Sequence, residues 1–477
     1  MNKKFSGIML GAICTLPLVA TAASPSAVKR AAVASVEKHA ADLTALSDQI
    51  WEYAETALRE HKSSKLLADY AEQQGFTVTR GVSGMPTAFI ARFGNGKPVV
   101  GIMGEYDALP GVSQKAIAEK SPLVEGAAGH GCGHNMFGAA SLGAALAIKD
   151  QIAAGKLKGT IIFFGTPAEE AVGGKTYMAR DGVFNEVDVM FAWHPGDESM
   201  ADATTSQAMV DLMVEFKGQA AHAASDPWNG RSALDGAMLF AQGVEMMREH
   251  MKPSSRVHYV IPDGGDVPNV IPEHAKVWIW ARDQKRTEVD GLYARIRKIA
   301  EGAALMTGTQ AVVRLQGGDW EMLLNAPGAK LIDANLRWIG SPTYTADEDA
   351  FAKKIQAATN VPPVGMERAI RALDDQEPEG GSTDVGDVSW VVPTLTLTVA
   401  TAPKAAPWHA WPVVATGGMS IGHKGLIVAS KTLAASMVDL YESPKALREV
   451  RADFEKKKGD AVFKAYLPDG PPPLPKD

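Results

Sequence analysis

Cysteine and positive charge are both scarce in this sequence. Only two cysteines occur in 477 residues, and one of them, Cys14, lies in a short apolar segment at the amino terminus. Without Cys14 the chain would keep Cys132 alone, which excludes an intramolecular disulfide. The formal net charge is -7, so the surface offers no general attraction to nucleic acid or to anionic lipid. An anionic substrate would therefore need a cationic pocket of its own.

After the amino terminus, no stretch of the sequence is apolar enough to span a bilayer. Lys3 and Lys4 precede an apolar segment interrupted by Pro17, and Ala20-Thr21-Ala22 is a small-x-small cleavage pattern. This arrangement predicts a secretory signal peptide over residues 1–22, and hence an exported protein, periplasmic or secreted. An uncleaved anchor is the alternative, which the short apolar segment disfavours. Cleavage would change the balance of basic and acidic residues from 48 against 55 to 46 against 55, because two lysines leave.

Apolar strand patterns alternate with amphipathic helix patterns through most of the chain. The predicted strands cover residues 87–93, 98–104, 159–165, 187–193 and 393–401. The predicted helices cover residues 28–53, 64–74, 136–154, 175–180 and 425–441. Strands separated by helices are typical of an α/β fold with a mostly parallel sheet.

A segment with a different order interrupts this pattern. Between about residues 206 and 318 the predicted order is β-α-β-β-α-β, the split βαβ arrangement of a small ferredoxin-like domain. We therefore predict a discontinuous α/β domain, residues 24–205 and 319–445, with an inserted domain at residues 206–318. Residues 446–477 would form a carboxyl-terminal extension, whose proline-rich end favours neither helix nor sheet.

Polar side chains follow four of the predicted strands, at the point where each strand ends. They are Glu105-Tyr106-Asp107, Glu169-Glu170, His194-Pro195 and His409. Because the carboxyl ends of parallel strands share one edge of a sheet, we expect these side chains to converge there. Cys132 and His134 precede the helix at 136–154, and in an extended backbone both side chains would face the same way.

Five of these residues are candidate metal ligands: Cys132, His134, Glu170, His194 and His409. Thiolate, imidazole and carboxylate together suit Zn²⁺, with Mn²⁺, Co²⁺ or Ni²⁺ as alternatives. Five candidates exceed the three protein ligands of a mononuclear catalytic zinc, so two divalent ions sharing one ligand would accommodate them. Taken singly, each residue could be an ordinary surface or core side chain, but their convergence at one sheet edge favours a metal site. Of the adjacent acids at 169–170, one would bind metal and the other would be the general base, and spacing alone leaves the choice open.

Several motifs together resemble the dimetal aminoacylase and carboxypeptidase family, in its branch with a Cys-x-His motif. They are Gly131-Cys132-Gly133-His134-Asn135, Thr166-Pro167-Ala168-Glu169-Glu170, Trp193-His194-Pro195 and the late His409. Two more, at residues 104–110 and 381–387, resemble p-aminobenzoyl-glutamate hydrolases of that branch. The resemblance extends from about residue 45 to residue 445. It implies a metal-dependent amidohydrolase that cleaves an amide bond beside a free carboxylate, in p-aminobenzoyl-glutamate, another N-acyl amino acid or a dipeptide.

The resemblance also implies individual roles in the α/β domain, which would be the metal-binding catalytic domain. Cys132 stands where many relatives place a bridging aspartate, so it would be the ligand shared by the two ions. The other four candidates would complete the two coordination spheres. Glu169 would be the general base, and Asp107 would orient a ligand imidazole.

Two positions bear on how far these roles transfer. Asn135 follows His134 where many Cys-x-His relatives have aspartate, which weakens the transfer of detail around the ligands rather than of the ligands themselves. His423 is another late histidine, but its surroundings indicate the start of a helix. We prefer His409 as the ligand because it follows a core strand.

For the inserted domain, the resemblance implies a lid that also dimerises the protein. His222 would reach the active site of the partner subunit and stabilise the developing oxyanion. Asn269 and Arg282 would hold the carboxylate of the substrate, a task that suits the planar guanidinium group of arginine. The expected partners are therefore a small carboxylate-bearing amide and a second copy of the chain, with no nucleic acid and no membrane after signal cleavage.

Two other functions are compatible with some of the same residues. Cys132 and His134 could form the nucleophilic pair of a metal-independent hydrolase, but this leaves the remaining acids and histidines of the sheet edge unexplained. An exported binding protein without catalytic activity could close its two domains on a ligand. The presence of Glu169 beside a full set of ligands argues against that second alternative.

Overall fold

The computed structural model describes residues 24–376, 378 and 380–475. The predicted signal peptide at residues 1–22 lies outside this range. The described residues contain no helix that is both long and apolar enough to cross a membrane. They form two β-sheets, each with a buried apolar core of its own.

Helices and strands alternate along most of the described chain. The α-helices are α1 (Ala27–Tyr53), α2 (His61–Gln73), α3 (His134–Ala153), α4 (Gly174–Arg180), α5 (Ala233–Arg248), α6 (Arg286–Thr307), α7 (Ala326–Ile339), α8 (Ala346–Ala358), α9 (Val385–Ser389), α10 (Trp411–Gly417), α11 (Ser420–Glu442) and α12 (Pro444–Lys458). The strands are β1 (Thr77–Arg80), β2 (Phe89–Asn95), β3 (Val99–Gly104), β4 (Gly159–Gly165), β5 (Val189–Gly196), β6 (Met200–Ala201), β7 (Ala208–Lys217), β8 (Arg256–Asp263), β9 (His274–Asp283), β10 (Gln310–Asp319) and β11 (Thr394–Ala400).

The larger sheet has its strands in the order β1-β2-β4-β3-β5-β11-β6. The four central strands, β4, β3, β5 and β11, run parallel to one another, whereas β1, β2 and β6 are antiparallel to their neighbours. Strands β3 and β4 are buried along their whole length, as parallel strands are when helices cover both faces. The predicted α/β fold with a mostly parallel sheet is therefore confirmed.

The smaller sheet is antiparallel throughout, with its strands in the order β10-β7-β9-β8. Helices α5 and α6 pack on one face of it, through buried residues such as Phe240 and Ile296. Along β7 and β9, buried residues alternate with more accessible ones. Because successive side chains of a strand point to opposite faces, the second face of this sheet is not covered by α5 and α6.

Small residues let α3 pack directly against the end of β3 and against α1. A Cβ atom on Gly138 would lie 2.7 Å from the backbone oxygen of Glu105, and one on Gly143 would lie 2.5 Å from Cδ1 of Leu43. Both distances are too short for a real side chain, so the close approach depends on glycine. The close packing fixes the start of α3, and with it the Cys-x-His motif, beside the carboxyl end of β3.

The carboxyl-terminal extension begins with α12, which packs against α7 and α11. The amide of Asn325, the residue that caps α7, donates to the backbone oxygen of Val450 in α12 at 2.7 Å. After α12, residues 459–475 contain neither helix nor strand, as the proline-rich sequence predicts. This irregular segment nevertheless lies along the body of the protein, because the ring of Tyr466 stacks on the guanidinium group of Arg286.

Candidate metal centre

A cleft of about 600 Å³ lies at the carboxyl ends of the parallel strands. One wall contains the predicted ligands and acids at positions 132, 169, 170, 194 and 409. The opposite wall includes Trp280 and Arg282 of β9, on the open face of the smaller sheet. The structure thus brings together side chains that are up to 277 residues apart in the sequence, from Cys132 to His409.

The donor atoms of the five candidate ligands form two groups that have Cys132 in common. One group is Cys132, His134 and His194, the other is Cys132, Glu170 and His409, and the atoms within each group all lie within 4.8 Å of one another. Nε2 of His134 and Oε1 of Glu170 are buried and make no hydrogen bond of good geometry within the described chain. Buried polar atoms without such partners are unfavourable unless an ion satisfies them. The residues therefore fit two cations with the Cys132 sulfur between them.

A left-handed turn, rather than the extended backbone that we expected, brings Cys132 and His134 together. Gly133 between them has a φ of +81° and directly precedes α3. A Cβ atom on Gly133 would lie 2.9 Å from Cε of Met136 and 2.9 Å from Cβ of Pro195. Both the backbone conformation and the lack of space therefore require glycine at this position.

Asp107 connects two of the candidate ligands. Its Oδ1 lies 2.9 Å from Nδ1 of His134, and its Oδ2 accepts a hydrogen bond of 2.9 Å from the backbone N–H of Glu170. Because Nδ1 of His134 is occupied in this way, Nε2 is the nitrogen that faces the other donor atoms. His194 is oriented similarly, with Nδ1 at 2.7 Å from the backbone oxygen of Pro195 and Nε2 at 3.3 Å from the Cys132 sulfur.

His409 reaches the site from the loop that follows β11. Its backbone is left-handed, with a φ of 52°, and its N–H donates to the backbone oxygen of Gly131 at 3.1 Å. Nε2 of His409 lies 3.6 Å from Oε2 of Glu170, and 57% of the His409 side chain is exposed. His423, the alternative candidate, instead pairs with Asp48 at 2.7 Å and belongs to none of the donor groups. This placement favours His409 over His423 as a ligand.

Burial shifts the pKa values of these groups away from the charge states that bind metal. Burial, followed by the charges of Glu105 and Glu170, raises the pKa of Glu169 well above its usual range. Burial also raises the pKa of Glu170 to about 7 and that of the Cys132 thiol far above its ordinary value. A bound divalent cation acts in the opposite direction, because it favours the carboxylate and thiolate forms.

The same geometry counts against Cys132 and His134 as a metal-independent nucleophilic pair. The hydrogen-bond partner of the Cys132 sulfur is His194 rather than His134. Burial, and then the charge of His134, lowers the pKa of His194 to about 4, so this imidazole is a poor base at neutral pH. A buried thiol with a raised pKa and such a partner is a weak nucleophile.

A buried ion network behind the centre was not predicted from the sequence. Oε2 of Glu105 lies 2.9 Å from Nε2 of His134, and Nζ of Lys175 lies 2.7 Å from both Oε1 of Glu105 and Oδ1 of Asp384. Burial would raise the pKa of Glu105, but the charges of Lys175 and His134 outweigh it and lower the pKa to about 2. Glu105 also forms a third donor group with His134 and Glu169. Glu105 and Asp384 lie in motifs noted above, whereas a lone lysine in a short helix gives no such signal.

Of the three residues predicted in the inserted segment, only Arg282 lines the cleft. Its guanidinium group lies 5.1 Å from the ring centre of Trp280. His222 and Asn269 are not among the residues that line the cleft of their own subunit, and both lie at the surface. Nδ1 of His222 accepts hydrogen bonds from the backbone N–H groups of Ala224 and Ser225, which hold the ring in a loop at the surface. Any part that His222 takes in catalysis therefore needs a second subunit.

Comparisons with known proteins point to the same chemistry. Residues 101–410 match Peptidase family M20/M25/M40. The chain is 38% identical over 460 residues to one of the two kinds of chain in the p-aminobenzoyl-glutamate hydrolase of Escherichia coli (strain K12), an alignment that covers 91% of this chain and 96% of the relative. It is 30% identical to Xaa-Arg dipeptidase of Mus musculus over 453 residues, covering 92% of this chain and 95% of that relative.

The fold is also shared with a solved structure, a dinuclear metal-binding peptidase of the M20 family from Bacillus subtilis. The two structures superpose with a TM-score of 0.59 at 19% sequence identity, over 85% of this chain and 99% of the other. At that identity the similarity concerns the fold alone.

Proposed function

This chain belongs to peptidase family M20/M25/M40 and is a metal-dependent amidohydrolase, and we propose that it hydrolyses the amide bond of a small N-acyl amino acid or dipeptide with a free carboxylate. The observation that carries the proposal is the pair of donor groups sharing Cys132, in one cleft with Glu169 and Arg282. p-Aminobenzoyl-glutamate is the first candidate substrate, because the relative with 38% identity bears its name.

The proposed cofactor is a pair of divalent ions held by Cys132 and the four other candidate ligands. The mixture of sulfur, nitrogen and oxygen donors favours Zn²⁺, with Mn²⁺ or Co²⁺ as alternatives. When bound, such ions would polarise the amide carbonyl and lower the pKa of water.

In the proposed reaction, Glu169 moves the protons. Its carboxylate would take a proton from the attacking water while the oxygen of that water bonds to the amide carbon. When the carbon–nitrogen bond breaks, Glu169 would give the proton to the leaving nitrogen, so that the products are a carboxylic acid and a free amine. Glu170, whose carboxylate lies beside His409 and whose N–H is held by Asp107, is better placed as a ligand.

The inserted domain is proposed to bind the substrate and a second subunit. Arg282 already lines the cleft, and its planar guanidinium group can pair with the substrate carboxylate through two hydrogen bonds. His222 and Asn269 would enter the site of the partner subunit of a homodimer. Because the bacterial hydrolase with 38% identity is named for two different chains, a complex with a different chain is the alternative assembly. Export to the periplasm or medium is likewise proposed, from the signal sequence.

A matched pair of substrates tests the proposed function. We expect the metal-loaded protein to hydrolyse p-aminobenzoyl-glutamate or another N-acyl amino acid in a screen over acyl and amino-acid groups. Converting the α-carboxylate of the best substrate to an amide should lower kcat/KM at least about tenfold, because a hydrogen-bonded charge pair contributes about 1.5–3 kcal/mol. The Arg282→Gln variant should lose that preference.

Two results of this screen would contradict the proposal. Equal kcat/KM for the free and the amidated substrate would show that the carboxylate is not recognised. If no N-acyl amino acid or dipeptide is hydrolysed although metal is bound, the protein is a binding protein rather than an amidohydrolase of this substrate class.

A further inference from the structure

Two arginines lie directly opposite one another on the open face of the smaller sheet. Arg256 of β8 and Arg282 of β9 are register partners. In both strands these positions alternate with buried ones, such as Val257 and Ala281, so both arginine side chains leave the sheet on the face away from α5 and α6. Cross-strand partners start about 5 Å apart at Cβ, and like charges at such positions destabilise a sheet. An anion between them would remove that repulsion.

Neither arginine is neutralised by an acid at close range. The guanidinium group of Arg256 donates to the backbone oxygens of Pro253 and Ser255, and that of Arg282 lies over the ring of Trp280. Among the residues that the structure describes, no carboxylate forms an ion pair with either one. The acids nearest in the sheet are Asp319, which is separated from Arg282 by the intervening strand β7, and Asp211, which accepts a hydrogen bond from Trp278 at 2.6 Å.

The two arginines line one cavity, and that cavity meets the catalytic cleft. Arg256, Arg282, Trp278, Trp280 and His258 surround a space of about 600 Å³. Trp280 and Arg282 also line the cleft that contains the candidate metal ligands. A substrate that gives one carboxylate to Arg282 can therefore extend its next polar group towards Arg256.

We propose that Arg256 and Arg282 together form a dicarboxylate subsite that selects N-acyl derivatives of acidic amino acids. This inference rests on the proposed function, in which Arg282 binds the α-carboxylate. Arg256 then binds the carboxylate of the side chain, as in a glutamyl group, through its planar guanidinium group. The indole ring of Trp280, on which Arg282 lies, borders the methylene groups between the two carboxylates. Arg256 is thus a specificity-determining residue, and it has no part in breaking the bond.

The Arg256→Gln variant tests this subsite with a glutamate and a glutamine substrate that carry the same acyl group. We expect the unaltered enzyme to prefer N-acyl-glutamate. In the variant, kcat/KM for N-acyl-glutamate should fall about ten- to a hundredfold, mainly through KM, because one charge-assisted hydrogen-bonded pair is lost. The value for N-acyl-glutamine should change less than about threefold. Lys276→Gln, which removes a cation from the same face of β9 outside both cavities, should leave both values unchanged.

Binding of the free product separates failure of the subsite from failure of the proposed function. Calorimetry should show that the enzyme binds L-glutamate at least about tenfold more tightly than L-glutamine, and that Arg256→Gln abolishes this difference. The measurement needs no hydrolysis, so it stands even if every N-acyl amino acid proves inert. Equal affinities in the unaltered enzyme would overturn the inference. So would a glutamate preference that survives in Arg256→Gln, whether or not the variant changes its oligomeric state on a sizing column.

Discussion

The Glu169→Gln variant should keep its bound metal and lose turnover by about 10²–10⁴-fold, the range expected when a general acid–base group is removed. The neighbouring variant, Glu170→Gln, should instead lose metal. This difference follows from geometry, because Glu170 shares a donor group with Cys132 and His409, whereas Glu169 shares one only with Glu105 and His134. Metal content and kcat, measured on the same two preparations, check both expectations.

The two variants are matched controls for each other, because each replaces one carboxylate by an amide of the same shape in adjacent positions. Restoring metal in excess should rescue Glu170→Gln in part and should not rescue Glu169→Gln. If Glu169→Gln is the variant that loses metal, the two roles within the pair are reversed. If both variants keep metal and full activity, neither residue has the proposed part in catalysis.

Mixing two inactive variants, His222→Ala and Glu169→Gln, should restore activity. His222 lies at the surface, outside the cleft of its own subunit, so we expect it to act in the site of its partner. In a mixed dimer, one site would then combine an intact Glu169 with an intact His222, while the other would carry both lesions. A two-fold interface allows this exchange because each subunit presents the same surface to the other.

The size of the recovery can be stated in advance. Random exchange of equal amounts gives about half mixed dimers, each with one of its two sites intact, so about a quarter of the activity of the unaltered enzyme should return. The controls are each variant alone after the same exchange procedure, and both should stay inactive. If mass measurements show mixed dimers and no activity returns, His222 acts within its own subunit or has no role in catalysis.

The strand ends that build the centre could be located from the sequence because polar residues interrupt apolar runs there. Strand β4 is predicted with its observed bounds, Gly159–Gly165, and the acids at 169–170 follow it directly. Strands β1 and β6 are too short, at four and two residues, to give a recognisable alternation. The convergence of Asp107, Glu170 and His194 then follows from the parallel arrangement of the strands they succeed.

Other features depend on contacts between distant segments and leave no local pattern. The left-handed conformation of Gly133 is imposed by Pro195 and Met136, which approach it in the folded chain. Lys175 is fully buried, although a lysine in a short helix is usually solvated, because two carboxylates from other elements surround its ammonium group. The pairing of Arg256 with Arg282 depends on the register of β8 and β9, and spacing in the sequence does not set that register.

The most direct test of the central claim is a titration of the metal-free protein with Zn²⁺ while hydrolysis of an N-acyl amino acid is followed, with parallel titrations with Mn²⁺ and Co²⁺. The two donor groups that share Cys132 predict no activity in the chelated protein and recovery that levels off at two ions per subunit. The Cys132→Ser variant, which lacks the shared sulfur, should bind less metal and recover less activity. Full activity in protein shown to be free of metal would contradict the account.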